Sequence, residues 1–166
     1  MNVSHQMMRL ITFAVLALCA VAVMSAEITS WATAKSTQES TGRVIVFRYA
    51  KEFREGFAKT NFPDRVILVW KYKSETGQPV KSEREAMDRM ENLLEPLVDN
   101  AETSVLTLVS TGENLREWIF YSRSEKAFLA ALNRALAGHP RFPIEVHAAP
   151  DPEWSTYGRF RKGVRD

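Results

Sequence analysis

Residues 65–73 read RVILVWKYK, and this stretch decides the fold. Every second position from Val66 to Tyr72 is apolar, whereas the opposite face changes from apolar to basic toward the end of the stretch. This period of two predicts a β-strand that has one fully buried face. The sequence Glu75-Thr76-Gly77-Gln78-Pro79 then predicts a turn. The chain therefore contains a core strand whose partners must come from the segments around it.

An amphipathic helix is expected after this turn. Ser82 and Glu85 have the spacing of a capping box, in which each side chain bonds a backbone N–H that the helix leaves unpaired. Pro96 marks the place where the last turn fails. Apolar residues recur at helical spacing before and after it, and we interpret them as core rather than as a flexible partner groove: Met87, Met90, Leu93, Leu94 and Leu97.

A hairpin, a second helix and a last strand follow. Residues 105–109 and 115–121 have the composition of strands, and the short loop at 110–114 predicts that they pair antiparallel. Ser124 is the expected N-cap of the second helix, and residues 144–147 alternate as a strand does. The buried stripe expected on this helix consists of Ala127, Phe128, Ala131, Leu132, Ala135 and Leu136.

The order of elements from residue 65 onward is β-α-β-β-α-β. This order is typical of the ferredoxin-like arrangement, an α+β fold with an antiparallel sheet and both helices on one face. The segment around Trp31 and residues 43–49 predict a preceding N-terminal strand or hairpin. Because residues 115–121 are apolar on both faces, we expect the N-terminal hairpin, residues 151–160 or a partner to cover the second face.

The N-terminus has the pattern of a secretory signal peptide. Arg9 precedes an apolar run at 10–24, which is shorter than the roughly 20 residues that span a bilayer. Cleavage after Ala26 is favoured over cleavage after Ala22, and residues 27–166 then form a single α+β domain. We therefore predict an exported protein, periplasmic or secreted, with no permanent membrane anchor after cleavage.

Charge and cysteine content exclude several classes of protein. The only cysteine, Cys19, lies in the leader, so the mature chain has no disulfide. Removing Arg9 from the 22 basic residues leaves 21 against 20 acidic ones, and this balance predicts no nucleic-acid partner. One local basic cluster near the C-terminus is either a solvated tail or a contact for an anionic surface: Arg159, Arg161, Lys162 and Arg165.

Catalytic and metal-binding patterns are sparse. His139 and His147 stand eight residues apart without a cysteine, so we expect no metal site and no cofactor. No Gly-x-Ser-x-Gly elbow occurs. Glycoside hydrolases use paired carboxylates about 5 to 10 Å apart to cleave glycosidic bonds. The acidic residues near aromatic ones, which are the candidates for such a pair, are Glu113, Glu117, Asp151 and Glu153. Alternatively, Asp151 caps a helix or forms a turn, and these acidic residues then have no catalytic role.

Several stretches together resemble a known family. They are Trp31, PDRVILVWKY at 63–72, SEREAMDRMENLLEPL at 82–97, TGENLREWIFY at 111–121 and DPEWSTYGRF at 151–160. The chain resembles the family called domain of unknown function 695 over essentially its whole mature length. Such domains are sometimes fused to a ribonuclease-regulator type domain, and the resemblance therefore implies binding or regulation rather than catalysis. We expect no such second domain in this chain, and its predicted export weakens a link to a cytoplasmic RNA enzyme.

We predict a binding or accessory module of the cell envelope, and the alternative is a small envelope hydrolase that uses the acidic residues above. The partner is an envelope protein or a small ligand. Aromatic side chains concentrate interface energy and also fill cores, so Trp70, Trp118, Trp154 and Tyr157 are candidate anchors. The core interpretation is favoured for Trp70 and Trp118, and both interpretations stay open for Trp154 and Tyr157. Arg116 and Asp151 complete the predicted site. One structural hypothesis is that Arg116 reaches across the sheet to Asp151 and fixes the C-terminal segment.

Overall fold

A computed structural model describes residues 26–100 and 102–164. The predicted signal peptide lies outside the described residues apart from Ala26. Within these ranges no helix is long and apolar enough to cross a membrane.

The strands and helices expected from the sequence occur in that order, and the structure adds a short helix and a short strand before residue 101 and a C-terminal helix. The strands are β1 (Ile28–Thr37), β2 (Val44–Phe53), β3 (Asp64–Lys71), β4 (Asp99–Asn100), β5 (Ser104–Gly112), β6 (Leu115–Ser122) and β7 (Ile144–Pro150). The helices are α1 (Lys81–Leu93), α2 (Glu95–Val98), α3 (Glu125–Leu136) and α4 (Ser155–Gly163).

All seven strands form one antiparallel sheet in the order β1-β2-β5-β6-β3-β7, with the short β4 also paired to β5. The α+β class and the leading hairpin are confirmed. The sheet is larger than the four strands expected from residue 65 onward, because β2 pairs with β5 and extends the sheet sideways. The hairpin therefore adds two strands at one edge of the sheet. It leaves the second face of the sheet to be covered by another element.

The first face of the sheet packs against α1, α2 and α3. Trp70, Trp118 and Phe120 point to this side and are buried together with Met87 and Met90 of α1. Ser124 caps α3 as expected, because its hydroxyl accepts the N–H of Ala127 at 3.4 Å. The helical stripes expected from the sequence therefore do form this core, although Ala127 itself is exposed.

The capping box expected for α1 is wrong. The helix begins at Lys81 with Val80 as its N-cap, and no side chain caps it. Ser82 already lies inside the first turn, so its hydroxyl is past the position that an N-cap occupies. Glu83 instead accepts a hydrogen bond from Trp70 Nε1 at 2.6 Å, and this bond ties the start of α1 to the sheet.

The turn between β5 and β6 is shorter than expected. It has two residues, Glu113 and Asn114, with φ of 51° and 64°. Positive φ at both central positions is the type I′ geometry, which matches the twist of the adjacent strands. Gly112 precedes the turn, and a Cβ on it would lie 2.7 Å from the carbonyl oxygen of Val44. Glycine at this position therefore allows β2 and β5 to approach closely.

Helix α4 packs on the second face of the sheet. Its Tyr157 lies with Tyr49, Ile119 and Tyr121 in a second buried cluster, and Phe160 packs at the edge of that cluster. Of the three covers expected for this face, the C-terminal segment is the one observed. The helix crosses only part of the sheet, and a groove remains between its C-terminal half and β1.

Candidate functional site

The two aromatic residues predicted as anchors near the C-terminus are buried. Trp154 is 1% exposed, stacks on Tyr121 with ring centroids 4.0 Å apart, and donates from Nε1 to the carbonyl of Phe62 at 2.9 Å. Tyr157 is 3% exposed, and its hydroxyl donates to the carbonyl of Ala50. In this structure both side chains fasten α4 to the sheet, and a direct contact of either with a partner stays a prediction.

Asp151 lies just before α4, which begins at Ser155, and is also buried. Its carboxylate accepts the Tyr121 hydroxyl at 2.7 Å and the N–H groups of Ser155 and Thr156 at 2.7 and 3.0 Å. Burial by itself raises the pKa of Asp151, but the hydrogen bonds from Thr156, Tyr121 and Ser155 outweigh it and lower that pKa to about 2. Asp151 is therefore an ionised cap that positions α4.

Arg116 does not reach Asp151, and the hypothesis of that pair is wrong. Residues alternate across β6, so Arg116 and Trp118 point toward α1 whereas Tyr121, which holds Asp151, points toward α4. Arg116 pairs instead with Asp88 at 3.1 Å and with Glu91 at 2.6 Å. The two residues predicted to form one site thus lie on opposite faces of the sheet.

Glu91 of α1 is the centre of the network around Arg116. Its carboxylate also accepts Trp118 Nε1 at 2.8 Å and pairs with Arg48 of β2. Burial raises the pKa of Glu91, but the hydrogen bond from Trp118 and the charges of Arg48 and Arg116 outweigh it, so that the pKa is lowered overall. Trp118 is fully buried, and it therefore positions Glu91 rather than forming a surface.

A cavity of about 290 Å³, which we call the arginine pocket, opens beside this network. Three guanidinium side chains from β2, α1 and β6 line it. The lining residues include Arg48, Arg84, Arg116, Gln78, Val109 and Thr111.

The acidic residues considered for a hydrolase lie in separate networks. Glu113 pairs with Arg43 at 3.4 Å, and Glu117 accepts the Ser110 hydroxyl at 3.1 Å. Glu117 is four residues from Tyr121 along β6, roughly 13 Å at the rise of a strand. Asp151 is thus engaged far from Glu117, and Glu153 is exposed. In the described part of the chain no three His, Cys, Asp or Glu side chains group as metal ligands would.

A cavity of about 720 Å³ lies between β1 and the C-terminal half of α4, and we call it the edge groove. Phe47 and Tyr49 of β2 form its floor, and Phe160 of α4 packs against them with ring centroids 5.1 and 5.2 Å away. Five consecutive residues of β1, 32–36, line the groove. Since side chains alternate along a strand, the backbone of β1 must form part of this wall.

The edge groove is positively charged. The basic side chains of Lys51 and Arg159 line it, and none of its lining residues within the described ranges is acidic. Arg161 lies over the Tyr49 ring at 4.9 Å, and its buried Nη1 has no hydrogen-bond partner among the described residues. The groove therefore combines an aromatic floor, a strand edge and a basic rim.

Sequence reasoning did not select the residues of the edge groove. Phe47, Tyr49 and Lys51 alternate along β2, which is a signal for one shared face, but only the fold shows that this face lies beside α4. Arg159 belonged to the basic C-terminal cluster whose role was left open. The sequence does not give the position of α4, because that position depends on contacts that Asp151 and Trp154 make with residues far away in the sequence.

Comparisons with known proteins identify the family of the chain. No curated protein and no solved structure matches the chain significantly. The family described as "Family of unknown function (DUF695)" matches residues 29–160, which extend from β1 into α4. This match confirms the resemblance found in the sequence, and the chain belongs to the family of unknown function DUF695.

Proposed function

We propose that this chain is an exported binding module of the cell envelope, and that the edge groove holds an extended, acidic segment of a partner protein. The observation that carries the proposal is the juxtaposition of an open strand edge with a helix across a cavity of about 720 Å³. Extended peptides bind several domains by adding a strand to such an edge. The partner is accordingly an envelope protein with a segment that can adopt β conformation.

The edge of β1 is suited to strand addition. β1 has ten residues, and among the described residues it pairs only with β2, so it is the first strand of the sheet order. In an edge strand, N–H and C=O groups on the outer side have no strand partner. Trp31 of β1 is 39% exposed, and Arg48 lies over its ring at 5.4 Å. A strand added to β1 would cover Trp31 from one side of the sheet and fill the groove from the other.

The side chains that line the edge groove are complementary to an amphipathic, acidic segment. Alternate side chains of an added strand point toward α4, where Phe47, Tyr49 and Phe160 offer an apolar surface. Lys51 and Arg159 line the same cavity, and no acidic residue in the described ranges lines it. Complementary charge steers association and fixes register, so acidic side chains or a C-terminal carboxylate fit this site.

The predicted site residues take an indirect role in this proposal. Asp151, Trp154 and Tyr157 hold α4 against the sheet, and α4 is one wall of the edge groove. Trp118 and Arg116 belong to the opposite face of the sheet. We therefore assign the first three to positioning of the groove.

The proposal also includes a ferredoxin-like unit and export from the cytoplasm, and one observation supports each of them. The strand order β5-β6-β3-β7, with α1 and α3 between these strands in the chain, supports a ferredoxin-like unit that β1 and β2 extend. The charged and apolar pattern of residues 1–26 supports export to the periplasm or the medium.

The experiment uses the full chain expressed in its native host with the photo-crosslinking residue p-benzoylphenylalanine in place of Ser36, which lines the groove. The crosslinked segment is identified and synthesised, and its affinity is measured by fluorescence anisotropy. We expect at least tenfold weaker binding to Lys51→Glu/Arg159→Glu and unchanged binding to Lys126→Glu, a control on α3.

Two results would overturn the proposal. One is a synthetic segment that binds the groove variant and the control variant equally well. The other is an absence of any crosslink that depends on light in cells in which the protein is correctly exported.

A further inference from the structure

We propose that the arginine pocket binds a small oxyanion, namely a phosphate or carboxylate group. This site is independent of the edge groove, because Arg48, Arg116 and α1 lie on the opposite face of the sheet from α4.

Three guanidinium groups from separate elements meet at the pocket. Arg48 comes from β2, Arg84 from the first half of α1, and Arg116 from β6, and they line one cavity of about 290 Å³. Guanidinium groups offer a planar set of N–H donors that matches the oxygens of carboxylate and phosphate. The pocket floor is apolar or neutral, with Val109 and Thr111. The chemistry of the lining thus favours an anion.

Glu91 holds the guanidinium groups of Arg48 and Arg116 in place in the absence of a ligand. Its carboxylate binds Arg116 Nη2 at 2.6 Å, contacts Arg48, and is itself held by Trp118 Nε1 at 2.8 Å. Arg116 is further held by Asp88 at 3.1 Å and by the Trp118 ring, 4.9 Å from its guanidinium carbon. Groups that are already ordered lose less conformational freedom on binding.

N–H groups of Arg116 and Arg84 remain available as hydrogen-bond donors after these contacts. The Nε of Arg116 is buried and has no hydrogen-bond partner among the described residues. Arg84 has no acidic partner in the described part of the chain. A buried donor without an acceptor is unfavourable, so an incoming oxygen would satisfy a group that the protein leaves unpaired.

The charge balance also favours an anion over a neutral ligand. Arg48, Arg84 and Arg116 carry three positive charges, whereas the carboxylates in contact with them are those of Glu91 and Asp88. The cluster therefore keeps one excess positive charge, and a monoanion would neutralise it.

The test is a titration of the full mature protein with inorganic phosphate and, separately, with acetate at constant ionic strength. The Nε–Hε resonance of Arg116 is followed by NMR. We expect a saturable shift that Arg84→Gln weakens at least tenfold and that Arg89→Gln, a control on the same helix, leaves unchanged. Saturation by phosphate alone identifies a phosphate group as the ligand, and saturation by acetate identifies a carboxylate.

The proposal is overturned if neither anion gives a saturable shift in the unmodified protein, or if Arg84→Gln and Arg89→Gln bind alike. The titration of the unmodified protein decides the matter even if a variant fails to fold. Variants of the edge groove do not enter this test, and its outcome is therefore separate from that of the proposed function.

Discussion

Replacement of Asp151 by Asn tests whether one buried carboxylate holds α4 in place. The pKa of Asp151 falls from 3.8 to about 2 through its hydrogen bonds to Thr156, Tyr121 and Ser155, which outweigh burial. At about 1.4 kcal/mol for each pKa unit, this difference corresponds to roughly 2 to 3 kcal/mol of folding free energy. We therefore expect Asp151→Asn to lower the free energy of unfolding by about 2 to 3 kcal/mol at pH 7.

The same difference should depend on pH in a defined direction. Because the pKa of Asp151 is lower in the folded chain, its contribution is complete above 3.8 and is lost as the pH falls from 3.8 to about 2. The unfolding free energies of the unmodified chain and of Asp151→Asn should therefore converge in that interval. A simple packing defect would keep the difference constant.

Urea unfolding at several pH values measures these quantities, and tryptophan fluorescence reports the transition because Trp154 stacks on Tyr121. Glu153→Gln is the matched control, since Glu153 is exposed and lies two residues from Asp151. Equal unfolding curves for the two variants at pH 7 would refute the assignment of Asp151 as the cap of α4. A difference that persists unchanged at pH 2 would refute its electrostatic origin.

Three further predictions concern other parts of the molecule. Glu91→Gln should lower the free energy of unfolding by about 3 kcal/mol in urea titrations, because Arg116 keeps a buried charge without its main partner. Gly112→Ala should cost more than about 1 kcal/mol in the same assay, since its Cβ would meet Val44, whereas Gly163→Ala meets nothing and should cost less. N-terminal sequencing of the exported protein should begin at residue 27, and an intact leader on that protein would contradict the signal-peptide prediction.

Elements with strong local patterns were predictable from the sequence. The alternation at Val66, Leu68 and Trp70 marks β3 because one face of that strand is entirely buried. Ser124 is a correct N-cap, because its hydroxyl accepts the N–H of Ala127 in the first turn of α3. The leading hairpin was also expected, and its pairing from Ile28 to Phe53 confirms it.

Features that depend on distant contacts were not predictable in the same way. Ser82 and Glu85 have capping-box spacing, yet Val80 starts the helix. The direction of Arg116 follows from the parity of β6, and its partners Asp88 and Glu91 follow from the packing of α1. The edge groove needs the position of α4 relative to β1, which no period or motif in either segment specifies.

The most direct measurement for strand addition is hydrogen exchange of the β1 backbone amides with and without the crosslinked partner segment as a synthetic peptide. If the segment adds to the sheet, exchange slows at alternate amides of Ile28–Thr37, because the outward N–H groups gain acceptors, and Lys51→Glu/Arg159→Glu removes this protection. Bound peptide that leaves every β1 amide unchanged would contradict the proposal that the edge groove receives a strand.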